Sequence, residues 1–194
     1  MEKYIPEVIE AIEDSLFGQI EVAIPIYISV EMAHEDGLKV MLTGQGADEL
    51  FAGYPWYRTI VEKDGYNSLK RYMVGDVLNL YRETLEREDK ITMVNAVELR
   101  VPYLDPKVIK IAMQIDDKLK IRSPKDELEK LIHMELAKRI RIPADLAERP
   151  KKAAQHGSGI HEAILVVAQK NGFTEDLVIL IRFPWRKDLL MKLN

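Results

Sequence analysis

The sequence contains no cysteine, which excludes disulfides, thiolate nucleophiles, thiolate zinc sites and any glutaminase that works through a cysteine. Nowhere do about 18 apolar residues run together, as a bilayer span requires. The start, Met1-Glu2-Lys3-Tyr4-Ile5-Pro6, has no apolar core behind its first charges. Neither a signal peptide nor a membrane span is expected, and a cytoplasmic location follows by default. No charge of one sign dominates either: 28 basic against 32 acidic residues leave a formal charge of -4. That is too little for a long-range field selecting nucleic acid or an anionic membrane, so neither is expected as a partner. Internal repeats and low-complexity linkers are also lacking, and 194 residues with 47% apolar content suffice for one buried core.

What is present is mostly helical periodicity. Ile5, Val8, Ile9, Ile12 and Leu16, with Glu7, Glu10, Glu13 and Asp14 between them, predict an amphipathic helix over 5–17. The run 20–33 holds Ile24, Ile26, Tyr27, Ile28 and Val30; its β-branched content suits a strand and its length a helix, and helix is preferred. His34-Glu35-Asp36-Gly37 breaks that run, and Lys39-Val40-Met41-Leu42-Thr43-Gly44 reads as a short buried strand stopped by a glycine. Beyond Gly53 the pattern is helical and charged, with stops at Asp64-Gly65, before Pro102 and at Ser123-Pro124. Ser123-Pro124-Lys125-Asp126 caps a helix that continues through Leu128, Leu131, Ile132, Leu136 and Ile140 until Ile142-Pro143. The apolar stripe of that helix is expected in the core. Two more helices are predicted over 160–169 and 176–181, before a basic tail containing Trp185. The expected architecture is mainly α around little sheet.

The stretch with chemical content is Val40-Met41-Leu42-Thr43-Gly44-Gln45-Gly46-Ala47-Asp48-Glu49-Leu50-Phe51-Ala52-Gly53-Tyr54. A strand runs into a glycine-bracketed turn and then two adjacent carboxylates. Gly44 and Gly46 let the backbone approach a ligand without interference from Cβ, and Thr43 and free N–H groups suit polyphosphate or a nucleobase. Asp48, just past a strand end, suits magnesium, which takes one or two carboxylates together with phosphate oxygens. The plainer reading is a strand-to-helix connection with a capping acid, because short glycine motifs are common.

This stretch resembles the Ser/Thr-Gly-Glu/Gln-Gly-Ala/Ser-Asp-Glu-Leu/Val-Phe-Gly-Gly-Tyr signature of the asparagine synthetase family. Two further blocks are similar to the same family in the same order. One is Asp89-Lys90-Ile91-Thr92-Met93 leading to Val97-Glu98-Leu99-Arg100-Val101-Pro102-Tyr103-Leu104-Asp105. The other is Arg149-Pro150-Lys151-Lys152 leading to Gly157-Ser158-Gly159. The resemblance spans 40–159. It implies a mainly α chain with a small remnant of parallel sheet, the C-terminal part of an adenine nucleotide α-hydrolase-like (Rossmann-like α/β) domain. On that basis 1–194 is a single incomplete domain, with the nucleotide-site strand and its flanking helices in 1–60 and the helical part in 61–194. The implied activity is an ATP pyrophosphatase reaction with magnesium: the aspartate side chain is activated as an acyl-adenylate, and ammonia converts it to asparagine and AMP. By position, Thr43, Gly44, Gln45 and Gly46 would bind the nucleotide and Asp48 the magnesium. Lys151 would be catalytic, stabilising charge on the departing phosphates; one such donor is worth about 3 kcal/mol by analogy with an oxyanion-hole group.

Other residues read as scaffold. On an extended segment Glu98 and Arg100 share one face and Val97, Leu99 and Val101 the other, so the pair is expected to be a buried brace. Asp89 and Lys90 read equally as substrate contacts or a helix-surface pair. His133, His156 and His161 form no recognised metal spacing. Tyr54, Trp56 and Tyr57 read as a packing anchor. The tail Arg182-Phe183-Pro184-Trp185-Arg186-Lys187 suits docking as well as nucleic acid.

Three departures from the family pattern qualify the expectation. No Ser-Gly-Gly occurs in the sequence, whereas the family grips pyrophosphate with a Ser-Gly-Gly-x-Asp-Ser loop that also brings a second aspartate to magnesium. A half-site of this kind should bind ATP poorly, so the loop is expected from a partner chain or an upstream segment, and the strand at Val40 should be left with exposed edges. Gln45 stands where better-known members carry glutamate, and it cannot take a proton. No glutaminase domain is recognised within these residues, so free ammonia or a partner is the expected nitrogen source. Self-association is expected. A non-catalytic descendant kept for assembly or regulation, or a ligase for another carboxylate such as the β-lactam synthetases, are the alternatives.

Overall fold

The computed structural model describes residues 1–125, 131–149 and 152–173. The chain is mainly helical. Helix α1 (Tyr4–Ile12) forms as its apolar spacing predicts, and it stops where Glu13 turns left-handed at φ 55°. Asp14 Oδ1 then accepts from the Leu16 N–H at 2.8 Å and leads the chain into α2 (Phe17–Glu35). The ambiguous run is thus a helix of 19 residues, too long for a strand, with Phe17, Ile20, Ala23, Ile24, Tyr27 and Val30 all buried. It continues through Pro25, whose carbonyl accepts from Ser29 Oγ at 2.8 Å. Among the described residues, no single helix is long and apolar enough to cross a membrane.

Strand β1 (Val40–Leu42) pairs with β2 (Glu98–Arg100) in a two-stranded sheet. The Glu98 N–H donates to the Lys39 carbonyl at 2.8 Å and the Thr43 N–H to the Arg100 carbonyl at 3.0 Å. Partners rise together on the two strands, so the register is parallel, as the resemblance implies. Burial departs from expectation. Val40 and Leu42 are 38% and 70% exposed, and it is Met41 that packs against a core cluster. The strand therefore meets the interior on one face. Glu98 and Arg100, expected as a buried brace, lie on the exposed side of β2, whereas Val97 just before it is fully buried.

The chain divides into two compact units, each assembled from separated segments. The first comprises Met1–Met41, Glu86–Leu99 and Lys152–Asn194. In it α1, α2 and α6 (Glu86–Val94) share a core of Val8, Ile12, Ile24, Val30, Ile91 and Val97, joined by Ile164 of α12 (Ile160–Lys170). Short α11 (Ala154–Gly157) also packs on α2. Lys90 bonds Glu13 at 2.8 Å and Glu86 at 3.5 Å, tying α6 to the end of α1.

The second unit comprises Leu42–Leu85 and Arg100–Lys151. Its helices are α3 (Ala47–Phe51), α4 (Pro55–Asp64), α5 (Tyr66–Leu80), α7 (Pro106–Gln114), α8 (Asp117–Lys120), α9 (Leu131–Arg139) and α10 (Ala144–Ala147), with a π turn at Tyr81–Leu85 and a 3-10 turn at Pro102–Leu104. Pro55 and Pro106 open their helices, where the missing N–H is harmless, and Asp105 Oδ1 caps α7 by accepting from Lys107 N–H at 2.8 Å. One cluster joins Ala52, Tyr57, Val61, Leu69, Met73 and Ile121; another joins Leu50, Phe51 and Ala112. The stripe of α9 is only partly core: Leu131 is buried and Ile132 packs beside Phe51, while Leu136 and Ile140 are 52% and 61% exposed because the last turns run out past the cluster. Asp126, Leu128, Lys151, the 176–181 helix and the basic tail lie outside the described residues.

Candidate nucleotide site

The site is built where β1 ends. After the Thr43 N–H makes its ladder bond, the chain leaves the sheet, and the Ala47 N–H closes the turn on the Gly44 carbonyl at 3.2 Å. Gly46 then begins α3 with φ 88°, and the Leu50 N–H bonds its carbonyl at 3.0 Å. Glycine is required here twice over. An L residue resists that φ, and a Cβ at Gly46 would stand 2.3 Å from Leu104 Cδ2. Gly44 is different: a Cβ there would meet nothing within 4 Å, and the residue is exposed. Packing does not dictate glycine at that position.

Helix α3 is one short turn, and its far end folds back on Asp48. Ala52 takes the left-handed conformation at φ 56°, its N–H bonds the Asp48 carbonyl, and the Gly53 N–H bonds the same oxygen at 2.8 Å. Thr43, Gln45 and Asp48 are half-buried. The five expected positions Thr43, Gly44, Gln45, Gly46 and Asp48 therefore sit on one strand-end turn, with the backbone on either side of Asp48 fixed.

Glu49 and its partners carry no signal in the sequence beyond the Asp-Glu pair. On a helix the next side chain projects about 100° away, so Glu49 turns inward beside Leu50 and Phe51 and is only 4% exposed. The Tyr54 hydroxyl donates to Glu49 Oε1 at 2.5 Å, while Oε2 is buried with no hydrogen-bond partner among the described residues. Burial pushes the Glu49 carboxyl above its usual value; the Tyr54 bond pulls it back down, and the charges of Asp48 and Asp76 push it up. The aromatic cluster forms, with Tyr54 stacked on Trp56 at 4.0 Å, but only part of it anchors the core: Trp56 is 51% exposed, while fully buried Tyr57 donates to Asp76 Oδ2 at 2.5 Å. Burial raises both hydroxyls well above the ordinary tyrosine range, and the carboxylates they bond raise them further.

The last of the three sequence blocks lies in the first unit from Lys152 onward. Buried Gln155 and the turn Gly157-Ser158-Gly159 follow Lys152, and Ser158 Oγ donates to the Ala154 carbonyl at 2.7 Å. His161 Nδ1 lies 2.6 Å from Oε2 of Glu21, a carboxylate of α2 that is 2% exposed. The His161 ring meets those of Phe17 and His156 at 6.0 and 4.7 Å.

Comparison with known proteins agrees with the geometry. The profile of the family described as asparagine synthase matches residues 1–66 and 61–177. Over 203 residues the chain is 41% identical to a Methanocaldococcus jannaschii protein assigned as asparagine synthetase [glutamine-hydrolyzing] 1, covering 90% of this chain and 37% of that one. Over 155 residues it is 30% identical to asparagine synthetase B [glutamine-hydrolyzing] of Escherichia coli, covering 80% and 27%. A mouse protein, asparagine synthetase domain-containing protein 1, is 32% identical over 130 residues, covering 66% and 21%. The chain thus spans well under half the length of these relatives. With a family match along most of its length and the signature turn built as a strand-end site, the chain belongs to the asparagine synthase family.

Proposed function

We propose that this chain forms one wall of an ATP-dependent amide-forming site, in which the side-chain carboxylate of aspartate is adenylated and then amidated by ammonia. The carrying observation is the turn itself: Asp48 is held half-buried at a parallel strand end, Gly46 is demanded by the fold, and Gly44 is open. In this reading Thr43, Gly44, Gln45 and Gly46 run alongside the AMP moiety, with Gly44 leaving room for it. The donor set fits magnesium: one half-buried carboxylate, to be completed by phosphate oxygens. Magnesium, when bound, neutralises charge on the phosphate oxygens as pyrophosphate leaves. Lys151 adds a point charge for those phosphates.

The carboxylate of aspartate attacks the α-phosphorus and pyrophosphate departs; the ammonia nitrogen then displaces AMP from the acyl carbon and gives up a proton. Gln45 can orient a reactant by hydrogen bonding but takes no proton, so that proton leaves to solvent or to a group outside the turn. The pyrophosphate loop lies outside these residues, on an upstream segment or on another polypeptide, and without it the grip on the phosphates is one-sided. Titration calorimetry with ATP and magnesium tests this. The chain alone should give no measurable heat. Added loop-bearing segment from the family should bring binding into the micromolar range, and Asp48→Ala should abolish it. Strong ATP binding by the chain alone, unaffected by Asp48→Ala, would overturn the reading.

A further inference from the structure

Two exposed surfaces of this chain complement each other in charge and in apolar content. The first is a groove of about 630 Å³ in the first unit, lined by Glu7, Glu10 and Ala11 of α1, Glu13 just past its end, Tyr27 of α2, and Lys90, Met93 and Val94 of α6. Glu7, Glu10 and Glu13 recur every third residue against Lys90 of the lining and Lys3, which lies 3.9 Å from Glu7, so the groove keeps an excess of acid. Its apolar lining is also open, with Met93 and Val94 at 57% and 59% exposure. Glu13 is fixed there by its left-handed backbone and its 2.8 Å bond to Lys90.

The second surface is the corner that ends α9, in the other unit. The Ile142 N–H bonds the Ala137 carbonyl at 2.9 Å and the Arg141 N–H the Lys138 carbonyl at 3.1 Å, the paired closure of a Schellman motif. Its left-handed position, usually glycine, is held by Arg141 at φ 63°. The corner therefore presents a rigid knob on which exposed Arg139 and Arg141 alternate with Ile140 and Ile142, themselves 61% and 40% exposed. Basic and apolar side chains alternate over four residues, which is the content the acidic, apolar-lined groove would accept.

We propose that the chain associates with a second copy of itself head to tail, the 139–142 corner of one molecule seated in the α1/α6 groove of the next. The two patches are different, so one contact leaves a free groove and a free corner, and association continues past the dimer unless a ring closes. Because the charges lie at the surface, the contact weakens with salt.

Sedimentation velocity over a concentration series, at low and high ionic strength, tests the proposal on the full chain. At low salt the weight-average mass should climb with concentration above the 22.3 kDa monomer, and at high salt it should return to it. Glu10→Lys/Glu13→Lys and Arg139→Glu/Arg141→Glu should each sediment as monomers at low salt. Mixed one to one, the two variants should associate again, because each supplies the surface the other now needs. Circular dichroism on both variants verifies that they fold, as expected for exposed positions. A wild-type chain that stays monomeric at low salt overturns the proposal, as does association that both folded variants retain, or a mixture that remains monomeric.

Discussion

The Tyr54 hydroxyl donates to Oε1 of Glu49 at 2.5 Å across the loop that closes on the Asp48 carbonyl. It is the bond that reconciles a buried carboxyl with the core around Leu50 and Phe51. Tyr54→Phe should therefore destabilise the chain by about 1–3 kcal/mol, the range for leaving a buried acceptor unmade, as measured by urea unfolding near neutral pH. The pH dependence has a defined sign. Glu49 holds its proton more tightly folded than unfolded, so its contribution is fully present below the unfolded value and is lost as pH rises through the raised folded value. Glu49→Gln should remove that fall, leaving a chain more stable than wild type at neutral pH and equal to it in acid below the glutamate range.

Gly46 and Gly44 should separate folding from binding. Gly46→Ala forces an L residue to φ 88° and sets a Cβ 2.3 Å from Leu104, which should cost about 2 kcal/mol or more. In a Leu104→Ala background the clash is relieved, and the loss on Gly46→Ala should shrink measurably in a double-mutant cycle. Gly44→Ala, with nothing within 4 Å of the new methyl, should leave stability within about 0.5 kcal/mol.

Tyr54 and Tyr57 should be silent in alkaline titration. Four of the 8 tyrosines, Tyr4, Tyr27, Tyr54 and Tyr57, have raised hydroxyls, and the rise is largest in Tyr54 and Tyr57, from burial first and then from the carboxylates they bond. Ultraviolet titration should show them ionising only as the chain unfolds in alkali. The sign matches that for Glu49: their contribution is intact below the ordinary tyrosine value of about 10 and is lost as pH rises through the raised value. Tyr57→Phe should lower the late-ionising fraction by one tyrosine.

The contact of His161 with Glu21 fixes α12 to α2. His161→Leu removes the 2.6 Å contact with a carboxylate that is 2% exposed and should cost about 1–3 kcal/mol, the range for a lost buried polar contact, seen as a lower midpoint in thermal unfolding and faster hydrogen exchange along α12. His161→Gln keeps a donor and should lose less.

Local structure was legible wherever one segment decides it. The spacing of Ile5, Val8, Ile9 and Ile12 specifies α1 and the Gly44-to-Tyr54 signature specifies the turn, whereas β2, in a stretch whose pattern reads as helical, forms by pairing with a strand far away in the chain. Burial was less legible, because it depends on what packs above a segment. Val40 and Leu42 look like core residues by type yet face outward, Glu98 and Arg100 lie exposed, and the stripe of α9 leaves its cluster after Ile132. The Tyr54 to Glu49 bond and the Tyr57 to Asp76 bond were not legible, because each depends on a helix end or loop bringing together side chains whose spacing matches no motif.

The most direct measurement follows α-phosphate-labelled ATP to AMP in the presence of magnesium, aspartate and ammonia. No AMP is expected from the chain alone, AMP when a loop-bearing family segment is added, and none from that mixture with Asp48→Ala. AMP formed by the purified chain without the added segment, or at undiminished rate by Asp48→Ala, would contradict it.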